Sequence, residues 1–105
     1  EVLCETDFVA KNDRFIEFGE WALEKLLDDG TVEGEEVEAR RLSVVTSTQE
    51  NVALRRTALF IADPGTTISR YVHNAINERF GKSACMVKLE SSATDIAHLG
   101  ELLCM

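Results

Sequence analysis

Asp7 and Phe8 set a carboxylate directly beside an aromatic ring, where a short strand, Glu1 to Cys4 or a little longer, gives way to a helix. A ring of that size beside a charge can either pack into a core or stand out and contact a partner molecule. Read on the residues alone, the plainer assignment comes first. Phe8 is then a core side chain, and Asp7 is an acid at a helix start, where it complements the helix dipole. Val9 completes this tip. His73, one of two histidines, ends a second strand-like run and is the other candidate, either as a partner contact or as a strand-end side chain hydrogen-bonded in place. Tyr71 is expected to pack beneath it.

Other reactive residues form no set. His98 falls on a helical stretch without a nucleophile nearby, so the nucleophile–base–acid arrangement of an enzyme is missing. There is no Walker loop and no dinucleotide fingerprint. Arg55-Arg56 is a weak phosphate clamp in so acidic a chain; one of the two is expected to pair with a carboxylate. Cys4, Cys85 and Cys104 are scattered without metal-ligand or redox spacing and read as free thiols in a reducing compartment. No catalytic activity, cofactor or metal site is expected.

The balance of 19 acidic against 11 basic residues, net charge −8, argues against direct nucleic-acid binding and favours a protein partner. The acids Glu33, Glu35, Glu36 and Glu38 read as the solvated start of a helix. No apolar run approaches the roughly 20 residues needed to cross a bilayer. No signal or transit peptide is visible. The missing initiating Met reads as a processed or trimmed segment.

The elements that position these residues follow from local pattern. Asn12 offers an N-cap, and Phe15, Phe18, Ala22 and Leu26, with Gly19, Leu23 and Leu27, recur at three and four residues up to a stop at Gly30. Trp21 lies off that stripe and is expected to cap the core's edge. A weaker helix follows over 35–47, with Val37, Leu42 and Val45 as apolar contacts. Asn51–Ala62 reads as a strand, joined by the type II turn signal Asp63-Pro64-Gly65 to a second strand, Thr66–His73. A polar excursion, 74–83, precedes an alternating strand, Ala84–Glu90, with Cys85, Val87 and Leu89 on one face. Ser92 to Asp95 has capping-box spacing, and Ile96, Leu99 and Leu103 line a last helix with no stop signal, so the chain is expected to continue. The fold class is α+β: an antiparallel β-meander with helices packed on one face. The opening strand must find a partner in the meander or upstream. Its passage into a helix echoes that of Val87–Ser92, which fits either two similar lobes, 1–50 and 51–105, or ordinary strand-to-helix grammar.

Three ordered matches, Glu1–Asn12, Glu50–Arg56 and Ser69–His73, resemble the elongation factor Ts family. That resemblance reverses the plainer assignment of the tip. It implies that Phe8 inserts as a wedge into the GTPase elongation factor Tu, with Asp7 near its magnesium and His73 approaching its phosphate loop. Activity as a guanine-nucleotide exchange factor in translation elongation is the expectation. The alternative is an exchange-inactive structural or assembly subunit of a mitochondrial ribonucleoprotein particle. Asn74 stands where the family usually has Gly, and 74–80 resembles the mitochondrial branch. This implies a mitochondrial matrix location, with the bacterial cytoplasm as the alternative. The family's usual N-terminal docking module is not in this sequence.

Overall fold

A computed structural model describes residues 1–90. The chain divides into two compact units, Glu1–Leu59 and Phe60–Met105. Its helices and antiparallel strand pairs make it α+β, as expected.

The first unit contains β1 (Val2–Leu3), α1 (Asp7–Ala10), α2 (Asp13–Asp29), α3 (Glu35–Thr48) and β2 (Ala53–Leu54). Local chemistry bounds α2. The Asn12 side-chain oxygen accepts from the Arg14 N–H at 2.9 Å. Gly30, at φ 75°, ends the helix by donating to the Leu26 carbonyl. Phe18, Gly19, Ala22 and Leu26 are buried on one stripe, while Leu27, one position round the helix, is exposed. A Cβ added at Gly30 would meet nothing within 4 Å, so Gly30→Ala tests backbone conformation alone. A left-handed non-glycine residue costs about 1–2 kcal/mol. The thermal midpoint should fall by roughly 4–8 °C per kcal/mol, and an unchanged midpoint would show that the cap contributes nothing.

α3 has no side-chain N-cap, and Glu35, Glu36 and Glu38 supply the acids of its first turn. Val37 and Val44, two turns apart, share the buried face. Leu42, expected in the core, is exposed instead. It lies about 140° round from Val37 at 100° per residue, so it cannot share that stripe. Arg41 pairs with Glu38 and donates to the Val52 carbonyl at 2.9 Å, tying α3 to the start of β2.

Phe18, Val44 and Val52 form the core cluster, with Val2, Cys4, Phe15, Trp21, Val45 and Leu54 packed against it. Val52 is wholly enclosed, at 0% exposure. Trp21 caps the edge as expected: it stacks on Phe18 with ring centroids 6.3 Å apart, and the Arg40 guanidinium lies 4.3 Å over its ring.

The opening strand's partner is β2, antiparallel, with Val2 opposite Leu54 and Leu3 opposite Ala53. The contact extends outward, because the Arg55 N–H donates to the Glu1 carbonyl and the Glu1 amino group donates to the Arg56 carbonyl.

In the second unit, β3 (Thr66–Ala75) pairs with β4 (Gly81–Glu90) from Thr66 opposite Glu90 to Ala75 opposite Gly81. This corrects the expected hairpin between Asn51–Ala62 and Thr66–His73, and with it the meander: the described residues hold two separate two-stranded sheets. The turn at 63–65 does form. Gly65 takes φ 81°, and the Thr66 N–H donates to the Asp63 carbonyl at 3.0 Å. It redirects the chain without pairing two strands, since β2 is taken by β1 while β3 finds in β4 a partner of equal length. The excursion expected over 74–83 shrinks to a connection at 76–80, closed by the Ile76 N–H on the Phe80 carbonyl at 2.8 Å. Cys85, Val87 and Leu89 do alternate, half-buried between exposed neighbours. The capping box at Ser92 and the final helix of Ile96, Leu99 and Leu103 lie outside the described residues, as do His98 and Cys104.

Candidate functional site

The tip of the first unit is α1, a helix that the pattern of apolar residues did not reveal. Thr6 caps it in an extended conformation, its hydroxyl accepting from the Val9 N–H at 3.4 Å. Val9 is buried, at 7% exposure, and anchors the short helix to the unit. Successive helical residues point about 100° apart, so burying Val9 turns Phe8 away. Phe8 is 90% exposed and is therefore not a core side chain. Asp7, also exposed, is the first residue of the same helix. Carboxylate and ring thus stand side by side on a surface projection.

A second segment holds this tip in place. Gln49 ends α3 in the left-handed region at φ 60°, and the chain turns so that Glu50 faces residues 5 and 6. One Glu50 carboxylate oxygen accepts the backbone N–H groups of Glu5, at 3.0 Å, and Thr6, at 2.9 Å. The other accepts the Thr6 hydroxyl at 2.6 Å. In return the Glu5 carboxylate accepts the Asn51 N–H at 2.8 Å. In the sequence, Glu50 stands out only as part of a family match. Its signal is the register: continuing the β1–β2 pairing past Leu3 and Ala53 sets Glu50 opposite Thr6.

Cys4 lies half-buried beneath the tip, and its thiol donates to the Thr6 carbonyl at 3.3 Å. Burial raises its pKa first, and the negative charges of Glu50 and Asp7 add to that, against the opposing hydrogen bond to Thr6. The thiol stays protonated at neutral pH and serves as an apolar filler.

Tyr71 and His73 belong to the second unit, on β3. Two residues apart on a strand, they share a face. Their rings lie 6.3 Å apart at 32°, with Tyr71 half-buried and His73 exposed. Asn74 follows at φ 50°, in the region open to glycine and several-fold enriched in asparagine. Asparagine tolerates this left-handed conformation, which glycine also adopts freely. Arg56 approaches the Glu1 carboxylate at 3.8 Å, which is the pairing expected for one of the two arginines.

Among the described residues, no three His, Cys, Asp or Glu side chains cluster so as to hold a metal ion. No described helix is long and apolar enough to cross a membrane. What the arrangement offers is an anchored, outward-facing ring beside a carboxylate, which suits insertion into a partner.

The family model described as elongation factor TS matches residues 5–105. Elongation factor Ts of Methylorubrum extorquens (strain PA1) is 39% identical, covering 97% of this chain and 36% of its own length. The corresponding protein of Xanthobacter autotrophicus (strain Py2) is 41% identical, with the same shares covered. That of Sinorhizobium medicae (strain WSM419) is 36% identical over 88% of this chain and 33% of its own length. The chain thus spans about a third of the length of these relatives. No solved structure matches it significantly. With the family model matched from Glu5 to the last residue, and with the Thr-Asp-Phe-Val tip built as a projecting helix, the chain belongs to the elongation factor Ts family.

Proposed function

We propose that this chain promotes release of GDP from elongation factor Tu in translation elongation, with Phe8 as the wedge, Asp7 beside the magnesium region and His73 on the phosphate-loop side. The observation that carries this reading is the 90% exposure of Phe8 on a helix whose next residue is buried. Exposing a large ring costs apolar area in the free protein, and that area is recovered when the ring enters a partner. GDP is held by magnesium and by amide donors at a helix N-terminus. Mg²⁺ tolerates little departure from octahedral coordination, so a small displacement of its surroundings weakens it sharply. An exposed imidazole at His73 can act where phosphate leaves, if an amide donor there turns away. In this reading the chain performs no turnover of its own and needs no cofactor.

The relatives named above are bacterial, which supports the bacterial cytoplasm over the mitochondrial matrix as the place of action. The reading as an exchange-inactive assembly subunit drew in part on an altered loop after His73. Asn74 takes a left-handed conformation that glycine also adopts, which weighs against that part of it.

The test is the release of a fluorescent GDP analogue from elongation factor Tu. Saturating wild-type chain should speed release well above the spontaneous rate, and no acceleration would end this reading. His73→Ala removes a contact of hydrogen-bond size, about 0.5–1.5 kcal/mol. The maximal rate should therefore fall roughly two- to tenfold.

A further inference from the structure

We infer that Glu50 is a positioning residue that holds the Phe8 wedge in its projecting orientation. A four-residue helix has no stability of its own in water. With Phe8 extended into solvent, the ring contributes no packing that would fix α1. Between the end of β1 at Leu3 and the start of α1 at Asp7, the N–H groups of Glu5 and Thr6 are both taken by one Glu50 oxygen. The other oxygen takes the hydroxyl of Thr6, the residue that caps α1. Glu50 therefore orients the cap, and the cap orients the helix that carries the ring.

The geometry is reciprocal. Glu5 accepts the Asn51 N–H, so the two chain segments are fastened from both sides. Glu50 in turn is delivered by the left-handed Gln49 and by the Thr48 hydroxyl, which accepts the Glu50 N–H at 3.4 Å. A carboxylate is suited to this place because it alone among side chains offers two acceptor oxygens and no competing donor, and three donors converge on it. Hydrogen bonds to an ionised acceptor are also the stronger kind. Glutamine can still receive both N–H groups on its carbonyl oxygen, but it presents an N–H₂ group to the Thr6 hydroxyl. Alanine receives nothing.

For exchange on the GTPase, this inference depends on the function proposed above, so two readouts are needed. The first is amide hydrogen exchange of the full chain alone. Glu50→Ala should speed exchange at Glu5, Thr6 and Val9 by about tenfold or more while amides of α2 keep their wild-type rates, and Glu50→Gln should show a smaller change. Unchanged exchange at Thr6 and Val9, or equal acceleration throughout α2, overturns the positioning role. The second readout is GDP release. Glu50→Ala should lower the maximal rate about tenfold with a smaller change in the half-saturating concentration, and Glu50→Gln should restore most of it. Placed in a Phe8→Ala background, Glu50→Ala should cost clearly less than it does alone, because it acts through the helix that carries the ring. A full additional loss there would overturn the inference. A wild-type chain that fails to speed release defeats the proposed function, and the hydrogen-exchange result then decides Glu50's role by itself.

Discussion

Phe8→Ala is expected to remove roughly ten- to a hundredfold of the acceleration of GDP release while leaving the chain as stable as before. Burying a phenylalanine side chain is worth about 1.5–3 kcal/mol, and each 1.36 kcal/mol is a factor of ten in rate. A thousandfold acceleration needs about 4 kcal/mol. Under the proposed function the ring would supply a large part but not the whole, which leaves the remainder to other contacts such as Asp7 and His73. If the ring enters fully only as the nucleotide site opens, its loss lowers the maximal rate more than it raises the half-saturating concentration. Stability is the control. A side chain 90% exposed in the free protein has little packing to lose, so the unfolding free energy should stay within about 0.5 kcal/mol of wild type. Wild-type release rates from Phe8→Ala at saturation would show that the wedge is not the mechanism.

Phe18→Ala is expected to do the reverse. Phe18 is 4% exposed, packs with Val44 and Val52, and carries the stacked Trp21. Truncating a buried phenylalanine costs about 3–5 kcal/mol, the lost transfer energy plus the cavity left behind. The unit Glu1–Leu59 is small. At about 0.05–0.15 kcal/mol per residue, its whole stability is roughly 3–9 kcal/mol. Phe18→Ala should therefore leave the unit barely folded, or unfolded, at room temperature. The chain's single tryptophan reports on this unit directly, because Trp21 rests on the ring being removed. Urea titration followed by Trp21 fluorescence should show a large fall in midpoint with an unchanged slope if the variant still folds. A loss below about 1 kcal/mol would show that Phe18 is not central to the core.

These two phenylalanines mark what sequence can reveal. Phe18 sits in a run of apolar residues spaced at three and four, so its burial follows from helical periodicity. Phe8 has no such run around it: the helix that carries it is a single turn, too short for any period to show. Its exposure follows from the burial of Val9 and from the Glu50 contacts across 44 and 45 positions of chain. Only the likeness of the tip to a known family pointed to it beforehand.

The same division holds for the strands. The helix bounds at Asn12 and Gly30, the acidic opening of α3 and the turn at Gly65 were all legible, since a cap or a turn is settled by residues within four positions of each other. The alternating face of Cys85, Val87 and Leu89 was legible for the same reason. Strand partners were not. Val2 could have met any apolar strand. Pairing it with Leu54 left the Leu59–Ile61 run without a strand partner among the described residues, and gave β3 to β4.

By itself, then, the sequence determined the caps, the turns and the periodic faces of the longer helices, the acidic balance, and the family. Tertiary structure alone decided which strands pair, that Leu42 yields to Val44 in the core, and that Asp7 and Phe8 stand outward on a clasp made by Glu50. The reason is physical: caps, turns and periodicity depend on neighbours along the chain, whereas pairing and exposure depend on which distant surfaces compete for the same partner.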